Sequence, residues 1–546
     1  MRTLGFTLSL IAAAVAGAGY GDDMTAAHRA AADRVRTFVY NSDGCDMLYY
    51  PEKSPLTIEG FTKQRLTAAL GTKISTISYC PLGSGFGYFT SLRVGDPLTN
   101  TVPPSKGRYN GKYNATLPFW EKYRTDALEM ALAFARTNGF ERFMSIRMND
   151  SHDGSTNLKK GLIHPLFSPF RRKHPECLMG SRADGVFPTV CRYQWTCCNY
   201  AMPAVRDAMR RYVREFCENY DMEGLELDFC RHPCFFKSVA WGEPVRAEEL
   251  EMMTDLLRDI RKTTLSYERK KGHPILLSAR VPDSVPFCRA IGLDIPAWLK
   301  AKLLDAVNVG CYFDLEDPQP FVELAHASGV KCFVSIDETR IPRIAKKNGS
   351  SLIDGRDSVE NYFAHYAAAM STGCDGIHLF NLEHARLTER TRVDPRETDG
   401  LDKIYFATER GAGGWPPSGY LKDGFSYKKL PRIEPTLEKD EAFRYGKPRT
   451  FDLRLGDDFA KAADKGLRPV VSVLALVDAN AAPLLTVNGR ALPSPTSFDK
   501  GLATFACAEP SCFKKGINRF TVASGDGREG VLRDFAVRIA YEKALR

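Results

Sequence analysis

The sequence predicts an α/β protein, a (β/α)₈ TIM barrel followed by a small C-terminal all-β sandwich domain. Between residues 36 and 382, eight short strand-like runs recur, and most are followed by a run with helical spacing. This alternation predicts parallel strands joined by crossover helices, and eight such units predict closure into a barrel. From about residue 448 onward, only short strand-like runs separated by turns remain.

Several of the predicted barrel strands alternate between apolar and polar residues. In the fourth strand, Leu225, Leu227 and Phe229 share one face, whereas Glu226 and Asp228 share the other. Because the apolar face of a barrel strand meets the surrounding helices, the two acids should point into the barrel. The eight predicted strands are 36–41, 74–80, 143–149, 224–229, 275–281, 306–313, 331–337 and 376–382.

The connecting helices are predicted by apolar residues at three- and four-residue spacing. The pattern is clear in 204–218, and similar stripes occupy 246–262 and 358–371. The stripe of the first consists of Val205, Ala208, Met209, Tyr212, Val213 and Phe216.

The chain length of 546 residues fits a large barrel plus a smaller module. We expect a signal peptide at 1–20, the barrel at 30–425, a linker at 426–447 and the accessory sandwich at 448–546. Within the last region, Asn488-Gly489 between two strand-like runs is typical of a hairpin.

The N-terminus predicts export. Arg2 precedes an apolar run of about Leu4 to Val15 and then small residues suited to signal-peptidase cleavage. We therefore expect a secreted or periplasmic protein, with no membrane span in the mature chain. Among the 15 cysteines, Cys507 and Cys512 are the expected disulfide pair, whereas the strand cysteines Cys230, Cys311 and Cys332 should be buried thiols.

The formal charge is +9, and the excess of basic residues is spread along the chain. No Lys/Arg tract suggests a nucleic-acid partner. The charge favours an ordinary basic surface, and an acidic or sulfated ligand is the weaker alternative.

The segment 224–236 contains the clearest candidates for catalytic residues. It places Glu226 and Asp228 inward, with Arg231 and His232 just past the strand. Two inward acids on one strand are costly unless they are paired or functional. A carboxylate at the end of this strand suits a glycosidic-bond-cleaving barrel, and an Asp–Arg pair that only fixes the loop is the alternative.

Two segments upstream of and within the acid-bearing strand form a recognisable pattern. They are His174-Pro175-Glu176-Cys177 and 199–229, in which Tyr220-Asp221-Met222-Glu223-Gly224 leads into the strand. In these segments the chain resembles the family-10-like glycosyl hydrolases. The resemblance implies a glycoside hydrolase barrel and a carbohydrate substrate, although Arg231-His232-Pro233 departs from the more usual aromatic loop.

The second catalytic acid is expected on strand seven, where Asp337 points inward and Glu338 follows it. Asp283, after strand five, is the rival. A carboxylate separation of roughly 5 Å would give retention of stereochemistry, and roughly 6.5–9.5 Å would give inversion.

The remaining candidate residues are substrate contacts near the strand ends. Trp195 and Trp241 lie on loops and could stack on sugar faces or simply anchor those loops. The polar candidates are Asn41, Asp43, Arg147, Asn149, Asp150, His152, Arg231, His232, Arg280, Asp283, Tyr312, Asn381 and Glu383.

No cofactor or metal is required by the sequence, although Asp150, His152 and Asp153 could bind a cation. The favoured function is a secreted glycoside hydrolase that uses paired carboxylates on poly- or oligosaccharides. A non-catalytic glycan-binding barrel and a metal-assisted ester or amide hydrolase are the alternatives.

Overall fold

The computed structural model describes residues 24–44, 46–81, 85–91, 94–99, 111–310, 313–336, 353–380, 384–407, 417–429, 443–507 and 510–543. The expected signal peptide lies outside these residues, as do Cys311, Tyr312, Asp337, Glu338, Asn381 and Glu383.

Eight parallel strands close into a barrel, which confirms the predicted fold. Hydrogen-bonded neighbours follow the chain order around the ring, and the first strand pairs with both the second and the eighth. The strands are β1 (Phe38–Asp43), β2 (Ile74–Cys80), β3 (Glu141–Arg147), β4 (Gly224–Asp228), β5 (Leu276–Val281), β6 (Ala306–Gly310), β7 (Lys331–Ile336) and β8 (Gly376–Phe380).

Helices surround the barrel and connect its strands. Those at positions preceding and following the strands are α1 (Ala26–Asp33), α2 (Ile58–Thr62), α3 (Thr116–Tyr123), α4 (Ala127–Thr137), α5 (Pro169–Lys173), α6 (Pro203–Asn219), α7 (Lys237–Ala240), α8 (Ala247–Lys271), α9 (Val285–Ala290), α10 (Ile295–Lys300), α11 (Gln319–Ala327), α12 (Val359–Met370) and α13 (His384–Arg390). In α6, every residue of the predicted apolar stripe is buried, and Pro203 occupies the first turn, where its missing N–H costs no hydrogen bond.

The alternation within each strand orients the side chains as predicted. Leu225 and Leu227 are buried in the core between barrel and helices, whereas Glu226 hydrogen-bonds to β1, β6 and β8 across the barrel interior. Gly224 begins β4 under the ring of Phe143, where a Cβ atom would lie 2.4 Å from the ring. A larger residue there would push β3 and β4 apart.

At the N-terminal end of the barrel, a buried charged cluster attaches α1. His28 Nδ1 lies 2.6 Å from Glu268 Oε2 and its Nε2 lies 2.9 Å from Asp305 Oδ1. Arg261 pairs with the same Asp305 at 2.8 Å. Burial alone would lower the pKa of His28, but the two carboxylates outweigh it and raise the pKa to about 9.

Two antiparallel sheets follow the barrel. Their strands are β9 (Lys403–Phe406), β10 (Phe443–Arg444), β11 (Arg449–Leu455), β12 (Leu467–Asp478), β13 (Leu484–Val487), β14 (Arg490–Ala491), β15 (Ser497–Asp499), β16 (Leu502–Cys507), β17 (Gly516–Ala523) and β18 (Val531–Lys543), with helix α14 (Phe459–Asp464) between β11 and β12. One sheet has the order β9-β18-β12-β16-β15, with β10 also on β18, and the other has the order β11-β17-β13-β14. The two sheets share an apolar core in which the rings of Phe451 and Phe535 lie 4.8 Å apart.

The sheet region begins earlier in the chain than the sequence suggested. Strand β9 falls within the expected barrel range, yet it pairs with β18, and β10 falls within the expected linker. A buried ion pair also joins the barrel to the sheets, since Arg356 Nη1 lies 2.7 Å from Asp534 Oδ2. The backbone N–H of Ile353 donates to the same oxygen at 2.9 Å.

The cysteine prediction is wrong in one respect. Cys507 and Cys512 are not joined by a disulfide in the structure, whereas the strand cysteines Cys230 and Cys332 are buried, as predicted. The described helices include none with the length and apolar character that a membrane crossing requires.

Candidate functional site at the C-terminal ends of the barrel strands

Glu226 lies at the centre of a hydrogen-bonded network inside the barrel. Its Oε1 accepts from Asn41 Nδ2 at 2.5 Å, its Oε2 accepts from Asn308 Nδ2 at 2.6 Å, and His378 Nε2 lies 2.8 Å from the same Oε2. All four side chains are buried. Burial would raise the pKa of Glu226, but the charges of His378 and Arg280 and the hydrogen bonds outweigh it and hold the pKa at about 2. The interior therefore contains a fixed negative charge.

Asp228 lies two residues beyond Glu226, at the end of β4 and at the opening of the barrel. Its Oδ2 lies 2.8 Å from Arg280 Nη1 on β5, and its Oδ1 accepts from the backbone N–H of Cys230 at 2.9 Å. The Arg280 guanidinium lies over the ring of Phe380 on β8, 3.7 Å from the ring centroid. The two contacts hold the carboxylate in one orientation. We call the region of Asp43, Arg147, Asp228 and Arg280 the mouth.

A second charged group at the mouth is centred on Arg147. This guanidinium donates to Asp43 Oδ1 at 2.5 Å and to Asp150 Oδ2 at 2.6 Å, so it bridges the ends of β1 and β3. Burial would raise the pKa of Asp43, but Arg147 and Arg231 outweigh it and lower the pKa to about 2. For Asp150, burial is likewise outweighed, in this case by His152 and Arg147, and its pKa lies well below its ordinary value. Both acids are therefore carboxylates at neutral pH.

Two histidines and an arginine complete the rim. His152 Nδ1 lies 2.7 Å from Asp150 Oδ1, and its Nε2 lies 3.3 Å from Arg231 Nη2. The His232 ring lies 4.9 Å from that of His152 and accepts from the backbone N–H of Ser151 at its Nδ1. Burial holds the pKa of His232 well below its ordinary value, so this imidazole is neutral. His152 is the rim side chain that reaches solvent, with 37% of its side chain exposed.

Asp150, His152 and His232 are close enough together to be considered as a cation site. One ligand atom from each lies within 4.8 Å of the other two. The same atoms already form hydrogen bonds, however, because Asp150 Oδ1 faces His152 Nδ1 and Asp150 Oδ2 accepts from Arg147. Two arginines, Arg147 and Arg231, also lie beside the cluster and disfavour a cation. Asp153, which the sequence grouped with these ligands, instead pairs with buried Arg171.

Several other predicted contacts organise the loops. Asn149 donates to the carbonyls of Cys198 and Cys234, at 2.9 and 2.7 Å, and so joins the loops after β3 and β4. Asp283 accepts from the backbone N–H of Leu315, which fixes the loop after β6. These contacts give both residues a positioning role.

The two tryptophans, expected either to stack on sugars or to anchor loops, both donate hydrogen bonds to loop carbonyls. Trp195 is only 4% exposed, packs beside Phe167, and donates its indole N–H to the carbonyl of Gly154 at 2.9 Å. Trp241 is half-buried and donates to the carbonyl of Met179 at 3.1 Å. Both rings anchor the long loop after β3, because a buried indole N–H needs an acceptor and the loop backbone supplies it.

The remaining predicted site residues fall outside the described part of the chain. They are Tyr312, Asp337, Glu338, Asn381 and Glu383.

Sequence reasoning missed His378 and Phe380, both of which face the interior from β8. The signal was available, because Gly376, His378 and Phe380 share one face of the strand, opposite Ile377 and Leu379. A single histidine within an apolar run is not by itself evidence of a functional site. The residue that His378 contacts, Glu226, lies far away in the sequence.

Comparisons with known proteins add context. No family model matches the chain, and no curated protein matches it. Similar solved structures include a GH36 α-galactosidase from Geobacillus stearothermophilus, with 11% identity and a TM-score of 0.34 over 90% of this chain and 56% of that chain. They also include a GH18 chitinase from Chromobacterium violaceum, with 11% identity and a TM-score of 0.35 over 93% of this chain and 89% of that chain. The glycoside hydrolase domain of PgaB from Bordetella bronchiseptica shares 10% identity, with a TM-score of 0.36 over 66% of this chain and 99% of that domain. Likenesses at this level determine neither fold nor function, so the fold rests on the strand pairing described above.

Proposed function

We propose that the protein is an exported glycoside hydrolase whose catalytic carboxylate is Asp228. The observation that carries the proposal is the placement of Asp228 at the C-terminal end of a barrel strand, held by Arg280 and the Cys230 N–H. In (β/α)₈ enzymes the chemistry occurs at this end of the strands. A carboxylate fixed in this way is suited to stabilise, or bond to, the positively charged sugar carbon of an oxocarbenium-like transition state.

Glu226 is then a positioning residue. Both of its oxygens accept hydrogen bonds inside the barrel, and its low pKa makes it a poor proton donor. Its negative charge keeps His378 and Asn308 in place beneath the mouth. The proton donor to the leaving-group oxygen is, in this proposal, Asp337 or Glu338 on the segment after β7, as the sequence pattern suggests.

The rim provides polar groups for a sugar ring. Arg231 and His152 lie together beside Asp43, and planar side chains of this kind bind vicinal hydroxyls or acidic substituents. We therefore propose acidic and sulfated glycans, as well as neutral glycans, as the substrate classes to test.

The first experiment measures product release from a panel of neutral, uronic and sulfated polysaccharides. The variants are Asp228→Asn, which keeps the size of the side chain and removes its charge, and Asp207→Asn, an exposed acid on α6, as the matched control. Asp228→Asn should lower kcat by about 10³-fold or more while glycan binding persists, and Asp207→Asn should leave both unchanged. Equal cleavage by wild type and Asp228→Asn would show that the catalytic acids lie elsewhere.

A second candidate, glycan binding without cleavage, is favoured by one observation. Asp228 is only 1% exposed and both of its oxygens are engaged. Wild-type protein that binds a glycan but releases no product would support this function. Loss of cleavage on chelation, reversed by zinc, would instead support the metal-assisted hydrolase.

A further inference from the structure

A cluster of thiols lies beneath the rim, between the loops that follow β3 and β4. The loop after β3 carries Cys191 and Cys197, and the loop after β4 carries Cys234. All three are buried, and the Cys234 thiol is within hydrogen-bonding reach of both others. Cys234 is thus shared between two potential partners.

The backbone holds these segments together independently of the thiols. The Tyr200 N–H donates to the carbonyl of Phe235 at 2.8 Å, and the Val190 N–H donates to the carbonyl of Ala240 at 3.0 Å. Asn149 bridges the carbonyls of Cys198 and Cys234. The proximity of the cysteines is therefore built into the pairing of residues 190–200 with residues 234–240.

We propose that Cys234 forms a disulfide with one of Cys191 and Cys197, joining the two loops that carry the rim residues. This inference is independent of what the mouth binds. The oxidant is the disulfide form of a thiol–disulfide oxidoreductase, as found in compartments that receive exported proteins. The two thiols give up two protons and two electrons, the S–S bond forms, and the disulfide of the oxidant is reduced to a dithiol.

Burial of the three thiols determines the stage of folding at which the disulfide forms. Cys191 and Cys197 are inaccessible to solvent in the folded chain, and burial holds the pKa of the Cys234 thiol well above its ordinary value. Because the thiolate is the reacting species, a folded and fully reduced protein would exchange slowly. The disulfide forms while the loops are still open, and the folded protein then shields it from reductants.

The consequence concerns the rim. His152 lies on the first loop, and Arg231 and His232 lie on the second. A covalent link between the loops fixes the distance between these side chains, on which any contact of both with one ligand depends.

Trypsin makes the assignment direct. Cleavage after Arg182, Arg192, Arg206, Arg231 and Lys237 places Cys191, Cys197 and Cys234 on the separate peptides 183–192, 193–206 and 232–237. Full-length chain secreted through an oxidising compartment is blocked with N-ethylmaleimide, digested without reduction and analysed by mass spectrometry. Peptide 232–237 should appear linked to 183–192 or to 193–206 through Cys197, and the link should vanish on reduction. Recovery of Cys234 as the blocked thiol would overturn the proposal.

A variant series separates the disulfide from the packing of the sulfur atoms. Wild-type protein that has been unfolded with reductant and refolded should have a Tm roughly 5 °C or more below that of untreated wild type, whereas the same treatment should leave the Tm of Cys234→Ala unmoved. Cys217→Ala, which removes a buried thiol on α6, should keep the full drop on reduction. If reduction lowers the Tm of Cys234→Ala by as much as it lowers the Tm of the wild type, Cys234 does not form the disulfide. The peptide map needs only wild-type protein, so the proposal is decided even if the variant fails to fold.

Discussion

His378 Nε2 and Glu226 Oε2 lie 2.8 Å apart across the interior of the barrel, on strands that are opposite each other in the ring. The contact joins β8 to β4, and Asn41 and Asn308 add bonds from β1 and β6. A network of this kind ties distant strands to one charge. Its energetic contribution therefore depends on the ionisation of Glu226.

Acid should remove the stabilisation that Glu226 provides. Its folded-state pKa of about 2 lies below the ordinary value of 4.5, so the contribution is complete above pH 4.5 and is lost as the pH falls through 2. The size is about 3 kcal/mol. In urea unfolding, the stability difference between wild type and Glu226→Gln should be largest near neutrality and shrink below pH 4.5. Glu59→Gln, on an exposed helix face, is the control, and a difference that does not depend on pH would contradict the assignment.

Alkali should loosen the attachment of α1. The pKa of His28, raised from 6.5 to about 9, gives a stabilisation that is complete below pH 6.5 and is lost as the pH rises through 9. Glu268, Asp305 and Arg261 are the charged groups that face the ring. The Tm advantage of wild type over His28→Gln should therefore narrow between pH 6.5 and 9.5, as measured by differential scanning fluorimetry. His326→Gln, which changes a histidine on α11 whose side chain is 40% exposed, is the control.

Asp228 and Arg280 should be strongly coupled in stability. Each is nearly inaccessible to solvent, so removing one partner weakens the compensation of a buried charge, at a cost of roughly 3–5 kcal/mol. Asp228→Asn combined with Arg280→Met should lose less than the sum of the single changes, with a coupling of about 1–3 kcal/mol. The exposed pair Asp255 and Arg258 should show a coupling below about 0.5 kcal/mol in the same urea titrations. Additive losses at Asp228 and Arg280 would mean that the pair is not formed in solution.

Breaking the ion pair between Arg356 and Asp534 should weaken the docking of the sheets on the barrel. The pair is buried and bidentate, and the Ile353 N–H shares the carboxylate. Asp534→Asn should destabilise the protein by roughly 3–5 kcal/mol and give an earlier calorimetric transition for the sheet region. Arg533→Gln, which removes an exposed ion pair on the same strand, should leave the thermogram unchanged.

Local alternation was enough to predict the barrel and the inward direction of its acids. Leu225 and Leu227 against Glu226 and Asp228 could be assigned to faces from the period of two residues alone. The pairing partners could not be assigned in this way. His378 meets Glu226, and Arg280 meets Asp228, through barrel closure that brings together residues far apart in sequence.

Loops were harder to predict than strands. Trp195 was expected either to stack on a sugar or to anchor its loop, and its burial depends on how the long loop folds over Phe167 and Gly154, which no short-range pattern encodes. Residues 403–406, which form β9, fell within the expected barrel range of 30–425. The true partner of β9, β18, lies at the far end of the described chain.

The pairing of β9 with β18 determines the order in which parts of the fold can be completed during synthesis. Lys403 bonds opposite Ile539 and Phe406 opposite Ala536, so β9 emerges from the ribosome well before the residues that complete its ladder. Every strand of the barrel can be in place while this edge is still open, and an open edge is a site for aggregation. The protein therefore has an interval during its synthesis in which it is vulnerable to aggregation, and this interval ends only when β18 has been made.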